Sequence, residues 1–209
     1  AAFYTLSKHD PDQYTFAEIV DSLKLPLFVK PANAGSSVGV SKVTNQEEFD
    51  AALAEAFKFD NKILIEEAIV GKEVECAVLG NEAVRASVIG EIVPTQNFYS
   101  YDAKYVSADG AKTKIPADIS ESVSDALRAE AIKAFKTICC EGLSRVDFFL
   151  KEDNTFVLNE INTLPGFTSI SMYPKLWEQT GVSYSNLITE LIQLGLNRQQ
   201  RNAALSTEI

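Results

Sequence analysis

The sequence predicts an α+β fold built on antiparallel sheet, and three observations carry that prediction. Strand-like and helix-like stretches intermix without the strict alternation that a parallel sheet requires. Two pairs of strand candidates are joined by short polar turns, Gly80-Asn81 and Lys151-Glu152-Asp153-Asn154, which favour hairpins. The 209 residues are 46% apolar and 23% charged, enough apolar mass for a sizeable core in one large domain or two small ones.

Taken in order, the first ten residues are polar and turn-rich and read as the ragged end of a longer chain. Tyr14 to Leu23 reads as a short helix, Leu25 to Val29 as a buried strand ended by Lys30-Pro31, and Ala32 to Ser37 as a loop. Val38 to Val43 reads as a returning strand. Thr44 and Glu47 carry a capping-box signature for a helix from Gln46 to Phe59, whose Phe49, Leu53 and Phe57 fall on one face. Ile63 to Ile65 is a short strand, and Val74 to Leu79 with Ala83 to Val93 form a strand pair. Thr95 to Pro116 is a long polar loop, a length usually reserved for function or disorder. Ser120 to Cys140 is the longest helix, Gly142 to Leu150 and Thr155 to Ile161 are strands, and Tyr184 to Gln199 is the last helix before a fraying tail.

Composition excludes several classes. A formal net charge of −10 repels a nucleic-acid backbone. No apolar run approaches the roughly 18–20 residues of a membrane span. The three cysteines, Cys76, Cys139 and Cys140, make neither a disulfide framework nor a zinc motif, and read as buried or inert thiols in a reducing cytoplasm. There is no CxxC or Cys/His cluster and His9 is the one histidine, so neither zinc chemistry nor a Ser-His-Asp triad is expected.

Four segments carry chemistry. Side chains alternate along a strand, so Arg145 and Asp147 share one face of their strand while Val146 and Phe148 share the other. Glu160 and Asn162 likewise share a face opposite Ile161. Paired strands gather Asp147, Glu160 and Asn162 into an oxygen-rich patch of the kind that suits Mg²⁺ with phosphate. The alternative is a polar solvated sheet face, which the following Thr163 to Ser169 loop disfavours because it can supply backbone N–H groups. Lys30 with Gly35-Ser36-Ser37-Val38-Gly39 reads as a phosphate-contacting loop, or else as a flexible turn; it lacks the GK[ST] of a P-loop. Glu66-Glu67-Ala68-Ile69 with Glu73 suits adenine and ribose, or is a solvated strand end. Phe98 to Tyr105, aromatic with one lysine, reads as a water-excluding lid or as a surface loop.

Together these runs resemble the D-alanine–D-alanine ligases. The matching segments are Leu27 to Pro31, Gly35 to Ser41, Ile65 to Glu67, Phe98 to Tyr105, Arg145 to Asp147 and Asn159 to Thr168, in family order across roughly residues 20–200. The resemblance implies an ATP-grasp fold: residues 1–68 the remainder of a central lobe, residues 69–209 the catalytic lobe, and ATP held between two α+β lobes. It implies formation of D-alanyl-D-alanine for peptidoglycan in the cytoplasm, through an acyl phosphate and a tetrahedral intermediate. It implies ATP and two Mg²⁺ ions, with Mn²⁺ an acceptable replacement, and a homodimeric full-length enzyme. Lys30 and Lys104 would neutralise phosphate charge, and Asp147, Glu160 and Asn162 would hold metal. Arg145 and the Gly166 N–H would stabilise the oxyanion. Glu66, Glu67, Ala68, Ile69 and Glu73 would hold adenosine, with Ser36, Ser37, Phe98, Asn159 and Glu160 completing the nucleotide contacts. Ser36 and Tyr105 would close the lid, and Ser171 and Met172 would line the second-substrate pocket. A tyrosine at 105 favours an amine acceptor, D-alanine, and leaves D-serine open.

The resemblance implies that these residues lack the family's N-terminal domain, which would supply part of the first-substrate site. The isolated chain is therefore expected to be inactive or nearly so, and robust D-alanyl-D-alanine synthesis by these 209 residues would contradict that. Two other readings are an ATP-grasp ligase for D-alanyl-D-serine or another carboxylate and amine, and a nucleotide-binding fragment without catalysis. A screen of acceptor amino acids separates the first. The second has no use for Arg145 beside three oxygen ligands.

Overall fold

A computed structural model describes residues 1–10, 13–94, 111–168 and 170–206. The chain divides into two compact units, residues 1–70 with 94–112, and residues 71–93 with 113–209.

The first unit is a four-stranded antiparallel sheet in the order β1-β4-β2-β3, made of β1 (Phe3–Ser7), β2 (Leu27–Pro31), β3 (Ser41–Val43) and β4 (Lys62–Glu67). Leu27 and Val29 of β2 and Ile63 and Ile65 of β4 alternate onto one fully buried face. Helices α1 (Phe16–Leu23) and α2 (Gln46–Ala56) contribute Ile19, Phe49, Ala52 and Ala56 to the same core.

Four details differ from the sequence expectation. The opening residues form β1, pinned to β4 by Leu6 in the core. Residues 36–39 are a turn, so the strand expected from Val38 begins at Ser41. The cap of α2 is Asn45, whose side chain accepts from the Glu48 N–H at 2.9 Å, while Thr44 bonds the Glu48 carboxylate. A full capping box lies instead at α1, between Thr15 and Glu18.

The second unit is a five-stranded sheet ordered β7-β6-β5-β8-β9, from β5 (Lys72–Gly80), β6 (Arg85–Pro94), β7 (Ala111–Lys114), β8 (Gly142–Leu150) and β9 (Phe156–Asn162). Helix α3 (Glu121–Thr137) covers one face with Val123, Leu127, Ala131 and Phe135, a clean i, i+4 stripe. Helices α4 (Met172–Gln179) and α5 (Tyr184–Ala203) belong to the opposite side of the unit. There the buried Tyr173 donates its hydroxyl to the Val78 carbonyl at 3.0 Å, and a β-carbon on Gly90 would come within 2.5 Å of Met172 Cε. The Gly80-Asn81 turn is locked from both sides: the Asn81 amide donates to the Leu194 carbonyl and accepts from the Gly142 N–H, each at 3.0 Å.

The thiols differ in kind. Cys76 is fully buried, and burial pushes its thiol up to about 12. Burial also raises Cys140, whereas Cys139 is exposed. A disulfide reagent at pH 8 is expected to label Cys139 first and Cys76 only after unfolding. Mass mapping of the labelled peptides checks it; fast labelling of Cys76 in folded protein would contradict it. Among the described residues no helix is long and apolar enough to cross a membrane.

Candidate functional site

The hairpin β8–β9 is shaped by which of its residues the core takes. Val146, Phe148 and Leu150 of β8 lie in the core beneath α3, so Arg145 and Asp147 emerge on the other face. On β9 the residues packed against that core are Phe156, Leu158 and Ile161, a spacing that strict alternation cannot supply. A bulge resolves the mismatch. Asp147 pairs with Glu160, but Phe148 pairs with Leu158, leaving Asn159 as the extra residue. The phase is thereby reset: the apolar residues turn inward, and Glu160 and Asn162 face Asp147 and Arg145.

These side chains are tied to one another. Arg145 Nε and Nη2 donate to the two carboxylate oxygens of Asp147, each at 2.7 Å. Asn162 Nδ2 donates to Asp147 Oδ2 at 3.0 Å and to Glu160 Oε1 at 3.2 Å. A further residue joins from β5. Glu75 stands opposite Asp147 in the strand register, with its Oε2 3.0 Å from Arg145 Nε. Sequence reasoning missed Glu75. The signal was present in the inward run Val74, Cys76 and Val78, which turns Glu73 and Glu75 outward together.

Three carboxylates, Glu75, Asp147 and Glu160, thus surround one guanidinium, a surplus of two negative charges. Asp147 is only 8% exposed. Burial pushes its carboxyl above the usual range; Arg145 pulls the other way, and Glu160 adds to the rise. Burial opposes the charge on Arg145, but Asp147, Glu75 and Glu160 overcome it and hold the guanidinium above its ordinary value. An arrangement with surplus negative charge at a partly open sheet face is suited to attracting cations. Among the described residues no three His, Cys, Asp or Glu side chains are set around one metal position. The oxygen donors at the Asp147 patch are two carboxylates and one amide.

The segment leaving β9 turns back on itself before α4. Thr168 N–H donates to Ser171 Oγ at 2.9 Å, and Ser171 N–H to the Thr168 carbonyl at 3.0 Å. Gly166 is exposed, and a β-carbon there would sit 2.9 Å from Ser171 Oγ, so only glycine leaves the hydroxyl undisturbed. Met172 is 5% exposed and packs inward toward Gly90.

In the first unit, β2 and β4 present Lys30 and Glu66 on the face opposite the core, and the two pair at 2.8 Å. Glu67 Oε1 accepts the Ala2 N–H at 2.8 Å, and Ala68 and Ile69 follow half-buried. Ser36 and Ser37 hold φ of 58° and 59°, and Gly39 a φ of 69°. Left-handed backbone costs a non-glycine residue about 1–2 kcal/mol. Two such serines in one turn are the kind of local strain that clusters at ligand clamps. Glu73 lies half-buried on β5. Phe98, Lys104 and Tyr105 lie outside the described residues.

The family model for the D-ala D-ala ligase C-terminus matches residues 1–193. A D-alanine–D-alanine ligase from Proteus mirabilis is 54% identical over 208 residues, 100% of this chain and 57% of that protein. The chain thus spans little more than half the length of the curated relatives it matches. Among solved structures, the D-alanine–D-alanine ligase from Coxiella burnetii superposes with a TM-score of 0.85 at 41% identity, covering 97% of this chain and 53% of that one. The VanG D-Ala:D-Ser ligase from Enterococcus faecalis gives a TM-score of 0.83 at 37% identity, covering 92% of this chain and 56% of that one.

Proposed function

We propose, on the premise that this chain belongs to the D-Ala–D-Ala ligase C-terminal family and has its ATP-grasp fold, that it carries the phosphoryl-transfer and condensation machinery of an ATP-dependent ligase joining two D-alanines. The observation that carries the reading is the clamped set Arg145, Asp147, Glu160 and Asn162 on one sheet face.

A free carboxylate is a poor electrophile, so the first D-alanine must be activated by the γ-phosphoryl of ATP. The second D-alanine then attacks through its amine, and phosphate leaves from the tetrahedral intermediate. Lys30, held at the sheet face by Glu66, would place positive charge against the nucleotide phosphates. Lys104 would do the same from the lid, which Ser36 and Tyr105 would hold closed. Ser37, Glu66, Glu67, Ala68, Ile69, Glu73, Phe98 and Asn159 complete the proposed nucleotide contacts. Arg145, fixed by its carboxylate partners, would meet the negative charge of the intermediate, helped by the Gly166 N–H. Ser171 and Met172 would border the second D-alanine, Met172 from its buried position.

The donor set fits a hard divalent cation. Every ligand is an oxygen, the site has two negative charges to spare, and Asn162 can turn its Oδ1 where Nδ2 now bridges the two carboxylates. Asp147, Glu160 and Asn162 would hold Mg²⁺ or Mn²⁺, two ions in all. Such ions supply charge neutralisation to the phosphates and to the developing acyl phosphate. A reaction that draws on ATP would run in the cytoplasm.

The test is ATP-dependent phosphate release by the protein as it occurs in the cell, with D-alanine, D-serine and D-lactate offered as acceptors and products identified by mass. Formation of D-alanyl-D-alanine is expected. Product formed with D-serine in preference would move the chain toward the reaction for which the Enterococcus faecalis relative is named. Phosphate release that no D-amino acid stimulates would contradict the reading.

A further inference from the structure

We propose that Glu75 is a positioning residue for Arg145, holding the Nε edge of its guanidinium when Asp147 is drawn toward a cation. This rests on the ligase reading above and assigns a role to a residue outside it.

Both Asp147 oxygens accept from Arg145, at 2.7 Å each. If Asp147 also ligates metal, at least one of those oxygens is shared and the fork loosens. Arg145 hangs on a flexible three-methylene stem, so a loosened guanidinium can swing toward the nearest phosphate instead of staying at the reacting carbonyl. Glu75 prevents that. Its Oε2 lies 3.0 Å from Arg145 Nε, and the side chains are 12% and 20% exposed. Its backbone cannot shift, because β5 is bonded on both sides, Glu75 standing opposite Gly90 on β6 and Asp147 on β8. The contacts to Asp147 and Glu75 run through Nε and Nη2. A guanidinium gripped along that edge presents its other edge, with Nη1, to substrate. A buried carboxylate is costly unless it is paired, so a residue that merely filled this space would not need the charge.

The test uses Glu75→Gln, Glu75→Asp, Arg145→Ala and the Glu75→Gln/Arg145→Ala double variant in the intact protein. Glu75→Gln keeps the shape and removes the charge. It is expected to lower kcat by about tenfold to a hundredfold with KM for ATP unchanged. Glu75→Asp keeps the charge and should fall between. In the double variant Glu75→Gln should add no further loss, since there is no guanidinium left to position. In ¹H–¹⁵N spectra the Arg145 Hε resonance should move when Glu75 is neutralised, a signature that thermal stability alone would not produce. An unchanged kcat in Glu75→Gln, or losses that add in the double variant, would overturn the inference while leaving the ligase reading intact. Full activity in Arg145→Ala would instead overturn the reading itself. If Glu75→Gln does not fold, Glu75→Asp decides: wild-type kcat and an unmoved Hε resonance overturn the proposal.

Discussion

Asp147→Asn is expected to remove ATP-dependent ligation almost completely, by about a thousandfold or more in kcat, and to destabilise the protein as well. The two effects have one origin. Asp147 is buried, accepts both forks of Arg145 and one bond from Asn162, and stands opposite Glu160 in the strand register. Asparagine fills the same volume but replaces one acceptor oxygen with a donor. One arm of Arg145 then meets an N–H₂, and the guanidinium is left leaning on Glu75. Breaking one side of a buried ion pair costs about 3–5 kcal/mol, and the retained Glu75 contact should keep the loss near the lower figure. On the chemical side, losing a charged ligand or a single preorganised donor at such a site lowers kcat by about 10²–10³, and Asp147 is proposed to serve both the cation and Arg145. Denaturant melts and phosphate-release kinetics check the two parts separately. Wild-type kcat in a folded Asp147→Asn protein would contradict the assignment.

Arg145→Ala is expected to lower kcat by about 10²–10³ while changing KM for ATP little, because the guanidinium is assigned to the charge that develops at the reacting carboxyl rather than to the nucleotide. Lysine should not rescue it: an ammonium cannot make the two parallel bonds that Asp147 now accepts. The variant also carries a pH signature. In the wild type, burial raises Asp147, with Arg145 opposing and Glu160 reinforcing the rise. Without Arg145 the opposing pull is gone, so the folded-state value climbs further above the unfolded value of about 3.9. A carboxyl whose folded value is raised favours the native state below the unfolded value. It withdraws that support as pH rises through the folded value. Arg145→Ala should therefore lose stability from about pH 4 upward more steeply than the wild type. Urea midpoints at pH 5 and pH 8 measure it; parallel curves for the two proteins would contradict the electrostatic account.

What the sequence could and could not disclose follows from where each signal resides. Helix α3 and the two hairpins were legible because helix-forming stretches and turn chemistry are local. That Glu160 and Asn162 share a face was legible from alternation along one strand, but alternation carried through the turn would set Asn159 opposite Asp147, and the bulge is what brings Glu160 and Asn162 onto the Asp147 face. Three elements were not legible. Strand β1 sends only Leu6 fully into the core, and β7 sits at the sheet edge with the polar sequence Ala-Lys-Thr-Lys. Helix α4 has Pro174 near its start, where the missing N–H is one of the unpaired donors anyway. Glu75 escaped because β5 meets β8 through a long-range pairing that no turn announces. The bulge at Asn159 was foreshadowed by the broken spacing Phe156, Leu158, Ile161, which strict alternation overlooks.

The central claim is that the face bearing Asp147, Glu160 and Asn162 takes a nucleotide together with a divalent cation. Calorimetric titration of a non-hydrolysable ATP analogue into the wild type and into Asp147→Asn, with Mg²⁺ and then with chelator, tests it most directly. The account predicts that wild-type affinity falls at least about tenfold, some 1.4 kcal/mol, when Mg²⁺ is removed, and that the folded variant binds equally weakly in both conditions. Mg²⁺-dependent binding that survives unchanged in Asp147→Asn would contradict it.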